Sequence, residues 1–342
     1  MKYRRLGNTR IKVSALCFGA LTIGPLQANL SITQGAQVIR RALELGVNFI
    51  DTAELYGTYP YIREALRGFT GEVVISTKSY AYTAEGMQQS LEKARQEMDR
   101  EVIDLFLLHE QESELTLQGH RPALEYLLEA RDRGWVRAVG ISTHTVAGVQ
   151  AAADWPEIEV IHPLINKGGI GILDGSREEM LAAITLAYQR GKGIYGMKPI
   201  GGGNLHAQAR EALEYAFNLP VLHAVAVGMK SEQEVAVNVA LVEGREPDAR
   251  LLNALEKEKR SLHLDDWCQG CGQCVEACPQ AALSLYTLAP SAATAIPDMG
   301  PNGLEDPLAK STGRQKVRVD PNKCLLCGYC GASCPEFCIK II

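Results

Sequence analysis

Long apolar runs are missing from this 342-residue chain. Nowhere do about 18 apolar residues stand together uninterrupted, so a membrane-spanning helix is not expected. Basic clusters are missing as well. The 35 Lys and Arg are dispersed among 40 Asp and Glu, for a net charge of −5, which leaves no positive stripe to follow a phosphate backbone and removes nucleic acid from the expected partners. Behind the basic start Met1-Lys2-Tyr3-Arg4-Arg5-Leu6-Gly7 there is neither an apolar segment nor a small-residue cleavage site. Export is therefore not expected, and the cytoplasm is the default compartment. No flavin-binding signature is present. Cysteine is nearly absent from the barrel-sized first part, where Cys17 stands alone and reads as a small buried hydrophobe. What remains, 46% apolar and 22% charged residues, is the composition of a globular protein long enough for one large domain and one small one.

The other nine cysteines fall between positions 268 and 338, in the runs Cys268-x-x-Cys271-x-x-Cys274-x-x-x-Cys278-Pro279 and Cys324-x-x-Cys327-x-x-Cys330-x-x-x-Cys334-Pro335. Three cysteines at i, i+3 and i+6 on a tight loop supply three corners of a cubane, and the fourth thiolate comes from elsewhere. In the bacterial two-cluster pattern the last cysteine of each run ligates the other cluster. That rule assigns Cys268, Cys271, Cys274 and Cys334 to one [4Fe–4S] site and Cys324, Cys327, Cys330 and Cys278 to a second. Zinc or disulfides are the competing reading, but zinc needs only four ligands and not a duplicated phrase of this form. Cys338 is not required by the count and reads as a small buried residue.

Upstream, short apolar or β-branched runs alternate with amphipathic helical stretches, the pattern of βα units around a parallel sheet. Eight candidate strands are found: 15–21, 47–52, 73–79, 103–109, 136–142, 159–165, 193–199 and 224–229. Eight predicts an α/β fold closed as a (β/α)8 barrel, with a small α+β ferredoxin-like two-cluster domain after it. Ser31 or Thr33 caps the first connecting helix, and Gly46, Gly134 and Gly191 are placed to end helices in left-handed conformation. Residues 253–260 read as a solvated linker helix, residues 286–314 as an irregular excursion, and the domains divide as 1–262 and 263–342.

At the C-terminal ends of consecutive strands sit Asp51, Lys78 and His109, with Tyr56 in the loop five residues after Asp51. Each alone has an ordinary reading as a cap, a surface lysine, a core histidine or a packed loop residue. Their joint placement at the rim where barrel active sites lie favours catalysis. The phrases Arg5-Leu-Gly-Asn-Thr9, Gly46-Val-Asn-Phe-Ile-Asp-Thr-Ala-Glu-Leu-Tyr-Gly57, Ser76-Thr-Lys78, Asp104-Leu-Phe-Leu-Leu-His109, Gly140-Ile-Ser142, Pro199-Ile-Gly-Gly-Gly203 and the segment from Gly228 to Asn238 resemble the aldo-keto reductase family over about residues 3–240.

The resemblance implies NAD(P)H-dependent carbonyl reduction, or the reverse alcohol oxidation, by an Asp51, Tyr56, Lys78 and His109 tetrad. Hydride addition leaves an alkoxide, so Tyr56 is the expected proton donor, with Lys78 expected to lower its pKa and Asp51 as counter-ion. His109 is expected to orient the carbonyl oxygen. The resemblance further implies that Ser142, His162 and Asn166 stand near the nicotinamide amide, and that Met197, Lys198, Gly202, Lys230 and Asn238 follow the phosphates and adenosine. Several positions depart from the family. His162 stands where Gln is usual, Met197-Lys198 replaces an aromatic-Ser pair, and Glu234 occupies a place often held by a basic residue. NADP and NAD both stay open. Nicotinamide passes two electrons and each cluster one, so a redox partner protein, with a flavin on it to split the pair, is a further expectation. The alternative is an electron-transfer or assembly subunit in which the barrel no longer catalyses or the clusters are only structural.

Overall fold

The computed structural model describes residues 1–288 and 315–342. From residue 289 onward, the expected excursion over 286–314 lies outside the described residues. Contacts group the chain into two units: Met1–Gly201 with Gln208–Lys259, and Gly202–Ala207 with Arg260–Ile342.

The first unit opens with an antiparallel hairpin, β1 (Tyr3–Arg5) and β2 (Lys12–Ser14), in which Tyr3 faces Ser14 and Arg5 faces Lys12. Eight parallel strands follow and close on one another: β3 (Leu16–Gly19), β4 (Phe49–Asp51), β5 (Val74–Ser79), β6 (Ile103–Leu108), β7 (Val136–Thr143), β8 (Val160–Pro163), β9 (Gly193–Met197) and β10 (Ala224–Gly228). Each lies within an expected run except β7, which extends one residue past it to Thr143. Strands β5 and β6 are buried at every residue, because one face meets the barrel interior and the other the surrounding helices. Leu6, Ile11 and Val13 of the hairpin join Cys17, Phe49, Leu105, Leu107 and Tyr195 in one buried cluster, so the hairpin plugs the barrel at its N-terminal end. Cys17 is fully buried there, as read from the sequence.

Helix ends follow local chemistry. Ser31 caps Ile32–Glu44, its hydroxyl accepting from the Gln34 N–H while Gln34 reaches back to Ser31, and Gly46 beyond the helix has φ of 87°.

In the second unit, β11 (Leu262–Leu264) pairs antiparallel with β14 (Ile339–Ile341), and β12 (Leu283–Thr287) with β13 (Gln315–Val319). The two cysteine runs repeat each other in backbone as well as sequence. Gly272 and Gly328, both at φ of 82°, start the short helices Gln273–Glu276 and Tyr329–Ala332. Gly270 and Leu326 share left-handed φ of 67° and 53°, as do Ala281 and Phe337 at 47° and 48°. The segment Gly202–Ala207 belongs to this unit through backbone pairing: the Ile341 N–H donates to Gly202 O at 3.0 Å, and Asn204 Nδ2 donates to Ile339 O at 3.1 Å.

Candidate active site and cluster cavities

The ends of β4 and β5 bring Asp51 and Lys78 together. Lys78, 1% exposed, has an acceptor for each ammonium proton: Asp51 Oδ1 at 2.9 Å, Asp51 Oδ2 at 2.8 Å and Thr52 O at 2.7 Å. Its Nζ also stands 5.1 Å from the centre of the Tyr56 ring. His109 follows β6 directly, its N–H donating to Ser79 O at 3.0 Å. The Tyr56 ring meets His109 edge-on at 5.8 Å between centres, while Tyr80 stacks on His109 at 4.2 Å. Asp51, Tyr56, Lys78 and His109 thus converge at one rim.

Burial, then the charges of Lys78 and Lys198, hold the His109 pKa well below the ordinary histidine value, so its imidazole is neutral. Its buried Nδ1 has no hydrogen-bond partner among the described residues. The expected lowering of the Tyr56 pKa is corrected by the structure. Burial pushes the phenol well above its ordinary value, and Asp51 and Glu110 push it the same way. The Lys78 charge is matched by Asp51 at contact distance, which leaves it little pull on the phenol. Tyr56 is partly exposed as a residue, and its phenol stays protonated.

Two residues of β9 and β8 extend this centre. Tyr195 OH donates to Asp51 Oδ1 at 2.9 Å and accepts from Ser76 Oγ at 2.8 Å. His162 stacks on the Tyr195 ring at 3.8 Å, and its Nδ1 lies 2.6 Å from Tyr195 O. A carbonyl only accepts, so Nδ1 carries the hydrogen and Nε2, 3.7 Å from Asp51 Oδ2, carries a lone pair. Burial outweighs the Asp51 charge and lowers the His162 pKa to about 4.

The remaining positions are spread more widely. Ser142 lies beside His162 in register, its Oγ accepting the Glu110 N–H at 2.9 Å and its O the Gln111 N–H at 2.8 Å. Met197 ends β9, and Lys198 follows at φ of 57° with Nζ 2.9 Å from His144 Nε2. The Asn166 amide is engaged in its own loop, donating to Ile170 O and accepting from the Gly168 and Ile170 N–H groups. Gly202 falls in the second unit, where a Cβ would lie 2.7 Å from Lys340 Cδ and 3.0 Å from Phe337 Cζ. Its lack of a side chain serves packing there. Lys230 donates its N–H to Glu234 Oε2 at 2.7 Å, with Nζ 3.7 Å from Glu258. Asn238 donates to Glu234 O, and its buried Oδ1 has no partner among the described residues.

Tyr80, Glu110, His144 and Tyr195 were not singled out from sequence. Tyr195 alone left a signal, as a phenol two positions before Met197 on the inward-facing side of a barrel strand.

In the second unit each half of the repeat opens a cavity. One is lined by Cys268, Cys271, Cys274 and Cys334, the other by Cys278, Cys324, Cys327 and Cys330, so each takes three sulfurs from one run and the fourth from the other. The remaining walls are largely apolar. The Ala282 N–H points at Cys278 Sγ and the Cys338 N–H at Cys334 Sγ, both at 3.3 Å. Cys338 is thus the counterpart of Ala282 and packs like it, buried. Burial pushes the Cys274 and Cys330 thiols up to about 11, so both hold their protons at neutral pH unless a cation draws them off.

Comparison with known proteins agrees with both geometries. An aldo/keto reductase family model matches residues 15–212, more than half of the chain, and a 4Fe-4S dicluster domain model matches 267–338. L-Galactose dehydrogenase of Arabidopsis thaliana is 22% identical over 71% of this chain and 88% of its own length. The 6-dehydroglucose reductase of Novosphingobium aromaticivorans is 24% identical over 78% and 93%. A solved aldo-keto reductase from Bacillus halodurans, in its holo form, superposes with a TM-score of 0.61 at 22% identity, covering 75% of this chain and 96% of that one, which shows the shared fold. No described helix is long and apolar enough to cross a membrane. With a closed eight-stranded barrel, a buried Asp51–Lys78 pair beside Tyr56 and His109, and two four-cysteine cavities behind it in sequence, this chain belongs to the aldo/keto reductase family and carries a C-terminal 4Fe-4S dicluster domain.

Proposed function

We propose that the barrel interconverts a small-molecule carbonyl compound and its alcohol with NADP or NAD, and that the dicluster unit exchanges single electrons with a redox partner protein. The observation that carries the first part is the convergence of Tyr56 and His109 beside the Lys78–Asp51 pair. A bound NAD(P)H supplies hydride to the carbonyl carbon. Everything else falls to the chain's own residues. Neutral His109 donates a hydrogen bond to the carbonyl oxygen, and protonated Tyr56 delivers its Oη proton as charge develops there. The Lys78 ammonium, anchored by Asp51 and Thr52, favours that charge electrostatically. Asp51 is in turn held by Tyr195.

Two features support the nucleotide. The unpartnered Oδ1 of Asn238 suits a donor such as an adenine amino group. Nε2 of His162 offers an acceptor where the family has the Gln oxygen, suited to a carboxamide N–H. Ser142, Met197, Lys198 and Lys230 complete this reading, while Asn166 and Gly202 play structural parts in it. For the clusters, the crossed set of eight cysteines supplies the thiolates, and their chemistry is one-electron transfer.

The test is Tyr56→Phe in the anaerobic, cluster-loaded protein. Loss of a proton donor lowers NAD(P)H-dependent aldehyde reduction by about 10²- to 10⁴-fold while nucleotide binding, followed by barrel fluorescence, is retained. Equal rates in the two proteins would sink the assignment of Tyr56. Absence of nucleotide binding in the unaltered protein would instead favour an electron-transfer or assembly subunit with an idle barrel.

A further inference from the structure

The two cysteine cavities repeat each other in ligand spacing, in left-handed backbone positions and in the N–H that meets Cys278 and Cys334 sulfur, but not in charge. The cavity of Cys278, Cys324, Cys327 and Cys330 is otherwise lined by uncharged residues, among them Leu262, Leu283, Leu326 and Tyr329. At the other cavity the chain places two ammonium groups. Lys340, 7% exposed, has Nζ 3.8 Å from the centre of the Phe337 ring, bonded to Phe337 O and 3.2 Å from Asp265 Oδ2. Lys316 Nζ donates to the carbonyl of Cys268, itself an expected ligand, at 2.9 Å, and to Asp266 O. The repeat has Ser284 where Lys340 stands, counting six residues from Cys278 and from Cys334.

Carboxylates oppose these cations. Asp265 is shared between Lys340 and His263, whose Nε2 is 3.1 Å from Oδ1, and Glu336 is exposed and screened by water. Asp266, whose carbonyl Lys316 holds, is exposed like Glu336, so the buried ammonium of Lys340 is the least screened charge at this cavity, and among the described residues no charged one lines the other cavity. The potential of a cluster follows local charge, hydrogen bonds to sulfur and solvent access. The N–H to sulfur contact on the crossing cysteine is the same in both, at 3.3 Å, so the ammonium groups are the difference in charge that separates the two sites.

We propose that Lys340, assisted by Lys316, gives the site of Cys268, Cys271, Cys274 and Cys334 the higher reduction potential of the two, so that a single electron delivered to this unit rests there. The donor is any one-electron reductant, dithionite in the test, which loses one electron for each one the site gains. This inference needs the dicluster domain alone and not the barrel chemistry.

The full chain, loaded anaerobically, is titrated against dithionite and followed by electron paramagnetic resonance. Two separate one-electron steps are expected. Lys340→Met lowers the upper step and leaves the lower one in place, because the ammonium is gone and Asp265 stands uncompensated, whereas Lys340→Arg keeps the separation. Coincident steps in the unaltered protein, or a Lys340→Met protein in which the upper step does not move, would overturn the proposal. Should Lys340→Met not take up two clusters, Lys316→Gln, at a partly exposed position, is read instead. It lowers the same upper step by a smaller shift, and an unmoved upper step there is equally fatal.

Discussion

Lys78 shows how a single residue ties stability to chemistry. Its ammonium lies almost wholly out of water and is tolerated because Asp51 and Thr52 accept all three of its protons. Lys78→Met removes the cation and strands a buried carboxylate, which costs about 3–5 kcal/mol of barrel stability. Urea unfolding followed by far-UV circular dichroism measures it. The double variant Lys78→Met/Asp51→Asn recovers most of that loss, and a double variant as unstable as the single one would refute the account. These positions were legible in sequence because each ends, or closely follows, an apolar strand. Tyr195 was not, since its partner Asp51 is 144 residues away and an inward tyrosine reads as one more core aromatic. Nor was the direction of the Tyr56 shift legible. Which of burial and a nearby cation prevails depends on distances that sequence does not contain.

At the scale of elements, the eight barrel strands were readable because strands buried on both faces leave continuous apolar runs between turn residues. The β1–β2 hairpin was missed, its three-residue strands being too short to show a period. Gly202 is expected along the cofactor phosphates, and in the structure the Gly202–Ala207 segment meets β14, the Ile341 N–H donating to Gly202 O. That placement gives Gly331 a specific demand: a Cβ there would lie 2.0 Å from Asn204 Oδ1, with Cγ at 2.3 Å. Gly331→Ala therefore displaces the loop carrying Cys327 and Cys330. Iron and acid-labile sulfide should fall toward one cluster per chain, and undiminished content would show that Asn204 yields instead.

On the scale of the whole molecule, the proposed function places two kinds of electron chemistry on one chain, a hydride in the barrel and single electrons in the dicluster unit, with the pair split on a partner. NAD(P)H alone should then leave the visible absorption of the clusters unbleached, while dithionite bleaches it. Bleaching by NAD(P)H in purified protein would reveal a splitter within the chain. The sequence by itself determined the barrel and the dicluster domain, and pointed to the four rim residues and the crossed grouping of eight cysteines, since all are written in local spacing: strand runs, strand ends and a repeated cysteine phrase. Tertiary structure alone decided that Tyr195 braces Asp51, that Tyr56 keeps its proton, that Gly202 stands against Lys340 and Phe337, and that among the described residues a buried lysine stands beside one cysteine cavity and not the other. Each of these depends on which distant groups share a low-dielectric space, and that proximity is set by folding rather than by order along the chain.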